Sequence, residues 1–179
     1  VAEANRKKEV QEAQKSIDFS KNKYQIELET GMGKILLDMY ADIAPGHCMN
    51  MLGLVKIGFY NGIKFHRIVK NFVIQAGCPD GLGSGGPGYK INQEFNPTKH
   101  VPGILSMART SDPNSGGSQF FLCLENVPFL DNQYTVFGKT ADEASLRVVL
   151  DIGKVPCGPG DRPVEDVVIK SARVLESPK

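Results

Sequence analysis

The residues that could do chemistry sit in four short stretches. The first, Gly81-Leu82-Gly83-Ser84-Gly85-Gly86-Pro87-Gly88, contains G-x-G-x-x-G, the pattern of a backbone loop that cradles a dinucleotide phosphate. That chemistry needs a helix opening at the last glycine and an acidic residue about 20 positions on. Neither follows: Pro87-Gly88-Tyr89 comes next without helical periodicity, and the later region reads Pro102-Gly103-Ile104-Leu105-Ser106. The second stretch, Phe65 to Gln75, carries His66, Arg67 and, eight residues beyond the arginine, Gln75. A guanidinium is permanently charged and offers a rigid fork of donors, yet spacing alone also fits a solvated arginine on a strand. Adjacent strand residues face opposite ways, so on a strand His66 is expected on the inward, supporting side, away from Arg67. The third stretch is Leu105 to Thr110 and the fourth Gly117 to Leu122, followed by Phe129-Leu130-Asp131. Ser118 lies in G-G-S-Q-F, which is not a nucleophile elbow. His47-Cys48 alone cannot supply a zinc site, and no metal or cofactor is expected.

Elements to position these residues can be read from periodicity. Tyr24, Ile26 and Leu28 alternate with polar residues, as do Ile35, Leu37 and Met39, with Gly31-Met32-Gly33 between them: a β-hairpin pattern. Pro45 suits a first helical position; Cys48, Leu52, Val55 and Phe59 then mark one helical face, with Gly58 and Gly62 at its end. Ile63 to Val69, Phe72 to Gln75, Ile104 to Ala108, Gln119 to Leu124, Tyr134 to Phe137 and Val164 to Leu175 read as strands, with a long loop over about residues 77 to 103. Thr140-Ala141-Asp142-Glu143 has the form of a capping box before a helix with Leu146, Val149 and Leu150 on one face, ended by Gly153. The sum is all-β: about eight short strands and two helices without βαβ alternation, a barrel or sandwich with helices packed on it. Residues 1–22 are polar and helix-favouring, with Val10, Ala13 and Ile17 at helical spacing, and read as an extension to one domain over 23–177.

Composition narrows the function classes. The 179 residues carry a net charge of +1, 41% hydrophobic and 23% charged residues, which gives no reason to expect a nucleic-acid or membrane partner. No apolar run approaches the ~20 residues that span a bilayer. The four cysteines, Cys48, Cys78, Cys123 and Cys157, form no C-x-x-C pair and read as reduced thiols. A cytoplasmic monomer is the expectation; the chain starts at Val1, a start compatible with a removed targeting segment.

FHRIVKNFVIQAG, GILSMART, PNSGGSQFF and FLDNQYTVFGK, in this order and spacing, resemble the motifs of the cyclophilin-type peptidyl-prolyl cis/trans isomerases. The resemblance covers roughly Tyr24 to Val174. It implies a closed eight-stranded antiparallel β-barrel capped by two α-helices, with a substrate groove on its outer face. It also implies isomerisation of Xaa-Pro bonds in proline-containing peptides and in unfolded or folding proteins, without cofactor. By resemblance Arg67 and Gln75 are catalytic: Arg67 reaches the prolyl region and Gln75 orients it. Phe72, Val73, Phe121 and Leu130 form the proline slot, closed by Phe129 and Tyr134. Gly83, Ala108, Arg109, Thr110 and Gln119 bind the peptide, Gly83 by leaving room for its backbone and Arg109 through backbone groups, its side chain pointing away. Period-2 alternation sends Phe120 and Leu122 inward and Phe121 into the slot.

The sequence departs from the best-known members where Phe129 stands for Trp, Tyr134 for His, and Val73 for the more usual Met. Phe129 has no indole N–H to donate, so weakened cyclosporin binding is expected. Two other readings stay open: a proline-peptide docking module using the same groove, and a scaffold whose working part is the N-terminal helix. A docking groove has no need of the arginine, so Arg67, Gln75 and Phe121 together favour catalysis.

Overall fold

The structure, a computed structural model, describes residues 5–179. Its elements in chain order are α1 (Lys7–Gln14), β1 (Asn22–Thr30), β2 (Gly33–Met39), α2 (Pro45–Lys56), β3 (Arg67–Val69), β4 (Val73–Ala76), β5 (Ile104–Met107), β6 (Phe120–Cys123), β7 (Val136–Thr140), α3 (Glu143–Ile152), β8 (Cys157–Gly158), β9 (Arg162–Pro163) and β10 (Ile169–Pro178). Eight strands form one sheet in the order β10-β1-β2-β7-β5-β6-β4-β3, every pair antiparallel, while β8 and β9 make a separate two-stranded ribbon. The fold class is as expected from sequence. Closure of the barrel is less complete. The end strands β3 and β10 do not pair; the residues just before each do, through a bridge between Lys64 and Val168. Phe65 N–H donates to Val167 O at 2.9 Å and Ile169 N–H to Ile63 O at 2.8 Å across this short seam.

Alternation decides what is inside. Tyr24, Ile26 and Leu28 on β1 and Ile35 and Leu37 on β2 are buried, with polar neighbours between them, and the register Gln25↔Asp38 to Thr30↔Gly33 joins the hairpin. Phe120, Leu122, Phe137, Ile68 and Ile74 complete the interior with α2 residues Met51, Leu52 and Leu54. α2 packs against β10 and β7, and α3 against β2 and β7.

Both capping helices begin with a carboxylate. At α2 it is remote: Glu94 accepts the N–H groups of Gly46 at 3.1 Å and His47 at 2.7 Å, satisfying orphan donors and placing a negative charge at the positive helix end. At α3 the cap is Asp142, whose side chain accepts the Ser145 N–H at 2.7 Å. The capping box expected from Thr140 is therefore displaced: Thr140 is the last residue of β7, and Glu143 the first of the helix.

The N-terminal helix α1 packs on α2. Val10 is 2% exposed, and burying a valine side chain stabilises by about 1.5–3 kcal/mol. The approach is close because α2 carries Gly53 at the crossing: a Cβ there would lie 2.8 Å from Val10 Cγ1 and 2.9 Å from Gln14 Cγ. Arg6 N–H also donates to Pro87 O at 2.9 Å, tying the start of this segment to the glycine-rich loop.

Candidate active site

The site is built on a row of cross-strand neighbours. Arg67 on β3 pairs with Gln75 on β4, Gln75 with Phe121 on β6, and Phe121 with Ser106 on β5. Their flanking residues Ile68, Ile74, Phe120, Leu122, Leu105 and Met107 all belong to the barrel core. Period two thus places the row on the outer face, where Phe121 joins Val73, Cys123, Leu130, Val136 and Ile104 in a second apolar cluster. The expected partition of Phe120 and Leu122 from Phe121 is the one observed.

On this outer face lies a slot of about 170 Å³. Phe72, Val73, Phe121 and Leu130 are its apolar lining, Ala108 and Tyr134 close it, and Arg67, Gln75 and Arg109 supply its polar rim. Phe121 is 4% exposed, held edge-to-face by the Tyr134 ring at 5.6 Å. Phe129 does not close the slot. It is 69% exposed and stacks on Phe72 at 5.7 Å, outside the lining.

A directed chain of amides runs from the slot to the glycine-rich loop. Arg67 Nη1 donates to Gln75 Oε1 at 3.3 Å, Gln75 Nε2 to Gln119 Oε1 at 3.0 Å, and Gln119 Nε2 to the carbonyls of Gly83 at 2.9 Å and Gly85 at 2.8 Å. The loop is anchored from below by Cys78, whose sulfur accepts the N–H groups of Gly83 and Gly85, each at 3.2 Å, and donates to Asp80 Oδ1 at 2.9 Å. Gly83 has φ +104°, a region that side-chain-bearing residues rarely adopt, and a Cβ there would face the His66 ring at 3.6 Å. Backbone conformation, rather than room on the groove side, is what requires glycine here.

His66 is 5% exposed, and its Nδ1 has no hydrogen-bond partner. It lies under the glycine-rich loop, not inside the barrel. Burial, reinforced by the charges of Arg162 and Arg67, pulls its pKa below the usual histidine value. Arg109 also departs from expectation. Its side chain stays at the groove, with the guanidinium 4.6 Å from the Tyr134 ring centroid and Nε donating to Gln133 O at 2.8 Å.

Behind Phe121 is a polar network that spacing gave no hint of. His100, 1% exposed, stacks on Phe121 at 6.1 Å. Its Nδ1 lies 3.0 Å from Asp131 Oδ1 and its Nε2 3.0 Å from Ser106 Oγ, which is also 3.0 Å from Thr135 O. Burial lowers the His100 pKa despite the opposing pull of Asp131. A neutral ring donates from Nδ1 to Asp131 and accepts the Ser106 hydroxyl at Nε2; protonating it would turn that hydroxyl toward Thr135 O. The arrangement resembles a Ser-His-Asp set, but Ser106 is fully buried under Phe121, so no substrate carbonyl reaches it. The four cysteines are free thiols, and burial raises Cys123 to about 12.

Residues 25–174 match the family described as cyclophilin type peptidyl-prolyl cis-trans isomerase/CLD. The chain belongs to this family. It is 44% identical over 156 residues to peptidyl-prolyl cis-trans isomerase-like 1 of Gibberella zeae, covering 84% of this chain and 94% of the relative. It is 49% identical over 122 residues to a peptidyl-prolyl cis-trans isomerase of Synechococcus elongatus, covering 68% of this chain and 83% of the relative. A crystal structure of a cyclophilin type isomerase from Cryptosporidium parvum superposes with a TM-score of 0.81 at 31% identity, over 87% of this chain and 99% of that one. A second structure of the same Cryptosporidium protein, obtained in the presence of the dipeptide Ala-Pro, gives 0.79 at 31% identity over 86% and 99%. The chain is thus a cyclophilin-type peptidyl-prolyl cis-trans isomerase.

Proposed function

We propose that Arg67 and the slot beside it catalyse rotation about Xaa-Pro bonds in peptides and in unfolded or folding proteins, with no covalent intermediate. The observation that carries this reading is a permanently charged guanidinium, oriented by Gln75, on the rim of an apolar slot. The uncatalysed barrier of ~18–20 kcal/mol comes from amide resonance, and rotation makes and breaks no σ bond. An apolar slot that holds the pyrrolidine ring and a donor that favours the twisted amide are sufficient kinds of help. A dry apolar cavity of ~150 Å³ can hold benzene, so the slot has room for a five-membered ring.

As the bond twists, the lone pair returns to the proline nitrogen. Arg67 can donate to it, and to the neighbouring carbonyl, in the transition state. A charge-assisted hydrogen bond is worth about 1.5–3 kcal/mol, or roughly one to two decades in rate. Gln75 acts by holding the guanidinium in place. The Ala-Pro dipeptide named with the Cryptosporidium structure supports a proline-containing ligand for this groove.

The test is a cis/trans exchange assay on a short Xaa-Pro peptide with wild type and Arg67→Ala. The expected result is activity in the wild type and a loss of about 10- to 100-fold in the variant. An inactive wild type would defeat the enzyme reading. A fully active variant would defeat only the role given to Arg67.

A further inference from the structure

Beside the slot runs a larger cleft of about 670 Å³, and the two share Gln75, Ala108 and Arg109 as a common wall. One side of the cleft is the glycine-rich loop from Gly83 to Lys90, the other the segment from Ala108 to Gln119. A peptide with its proline in the slot must run through this cleft or away from it. The cleft's charge is one-sided. Lys90 and Arg109 line it, Arg67 stands on the adjoining rim, and no Asp or Glu lines either cavity.

These cations are not neutralised. Among the described residues none of the three forms an ion pair with a carboxylate. Arg109 is fixed by neutral groups, the carbonyls of Gln133 and Thr110 and the Tyr134 ring, none of which carries a negative charge to cancel its own. Glu94, Asp131, Asp80 and Asp112 take their hydrogen bonds from other groups: Glu94 at the start of α2, Asp131 at His100, Asp80 at Cys78 and the Leu82 N–H, and Asp112 at the Asn114 N–H. The chain as a whole carries only +1, so this is a local concentration of positive charge. Ser84, Thr110 and Ser115 add hydroxyls to the same lining.

We infer that this cleft selects an acidic residue within a few positions of the proline, so that acidic segments are the preferred substrates. The inference rests on the reading of the neighbouring slot as the proline site. Exposed ion pairs are weak, and the preference they can supply is about three- to fivefold.

The experiment uses peptides with one Xaa-Pro bond and with Glu, Gln or Lys placed in turn at each of three positions on either side. The ratio of kcat/KM for Glu over Gln is read within each protein, so that any general loss of activity cancels. The expected ratio is about three to five for at least one position at low salt, with Lys below Gln. It should fall toward one at about 0.5 M salt, where the Debye length is only a few ångströms, and in Lys90→Gln. A ratio of one at every position, a preference for Lys, or an undiminished ratio in Lys90→Gln overturns the inference. If the Gln peptides are not turned over at all, the isomerase reading fails, and titration of Glu against Gln peptides decides the charge preference by itself.

Discussion

Arg67 and Gln75 face each other directly across β3 and β4, and the guanidinium donates to the glutamine oxygen at 3.3 Å. Each amide after that accepts at its oxygen and donates from its nitrogen, so the order Arg67, Gln75, Gln119, glycine-rich loop has one direction only. A residue that works through Arg67 has nothing left to contribute once the arginine is gone. Gln75→Ala is therefore expected to reduce kcat/KM by about 3- to 10-fold, the worth of one hydrogen bond. The double variant Arg67→Ala/Gln75→Ala should be no slower than Arg67→Ala alone. Additive losses in this cycle would show that Gln75 acts on the substrate independently.

Cys78 holds the far end of the same chain. Its sulfur accepts two loop N–H groups and donates to Asp80, a role that a serine hydroxyl can repeat and a methyl group cannot. Cys78→Ser should keep KM within about twofold, whereas Cys78→Ala, with two or three hydrogen bonds of ~1 kcal/mol each gone, should raise KM several-fold. Hydrogen exchange at the Gly83 and Gly85 amides checks the cause, because it should quicken in the alanine variant alone.

At Gly83 the φ of +104° makes any side chain strained, of order 1–3 kcal/mol. Gly83→Ala should already lower Tm and raise KM, and Gly83→Val should do little more to the groove than that strain does. A valine variant of normal Tm with peptide binding abolished would restore a purely steric role toward the substrate.

What could be read from the sequence was local. The alternation of Tyr24, Ile26 and Leu28, and the opposite facing of Phe120 and Phe121, follow from a two-residue period and need no tertiary knowledge. The links that position the site are not periodic. Glu94 caps α2 from 47 residues away, and Asp131 meets His100 across 31; one carboxylate in a loop looks like any other until the chain folds. Phe129 shows the same limit: motif order places it beside the slot, and the fold stacks its ring on Phe72 outside the lining.

The two histidines with lowered pKa set a pH dependence of stability. Burial is the main cause at both His66 and His100. A group whose folded pKa lies below its unfolded value of ~6.5 is neutral in both states above that value. Below it the unfolded chain takes up a proton that the folded chain refuses, so stability is full above pH ~6.5 and declines as pH falls toward the folded pKa. Urea unfolding at pH about 7.5, 6.5 and 5.5 should show this decline. His66→Gln should make it shallower, since Gln has no proton to gain and only the His100 contribution remains. A stability that rises between pH about 6.5 and 5.5 would contradict both assignments.

Phe129 sits at the outer edge of the slot, 69% exposed and stacked on Phe72, where the best-known relatives carry Trp. A phenyl ring offers apolar area and no donor; an indole offers both. Wild type should therefore bind cyclosporin weakly, and Phe129→Trp should tighten it by about 3- to 10-fold, the range of one net hydrogen bond of ~0.5–1.5 kcal/mol. Because the Phe129 ring lies outside the slot lining, turnover of a short Xaa-Pro peptide should change less than the drug affinity does. Isothermal titration of both proteins with the drug, beside exchange rates on the same samples, separates the two effects. Equal affinities would move the cause of weak binding to Tyr134 or Val73, the remaining departures in the slot.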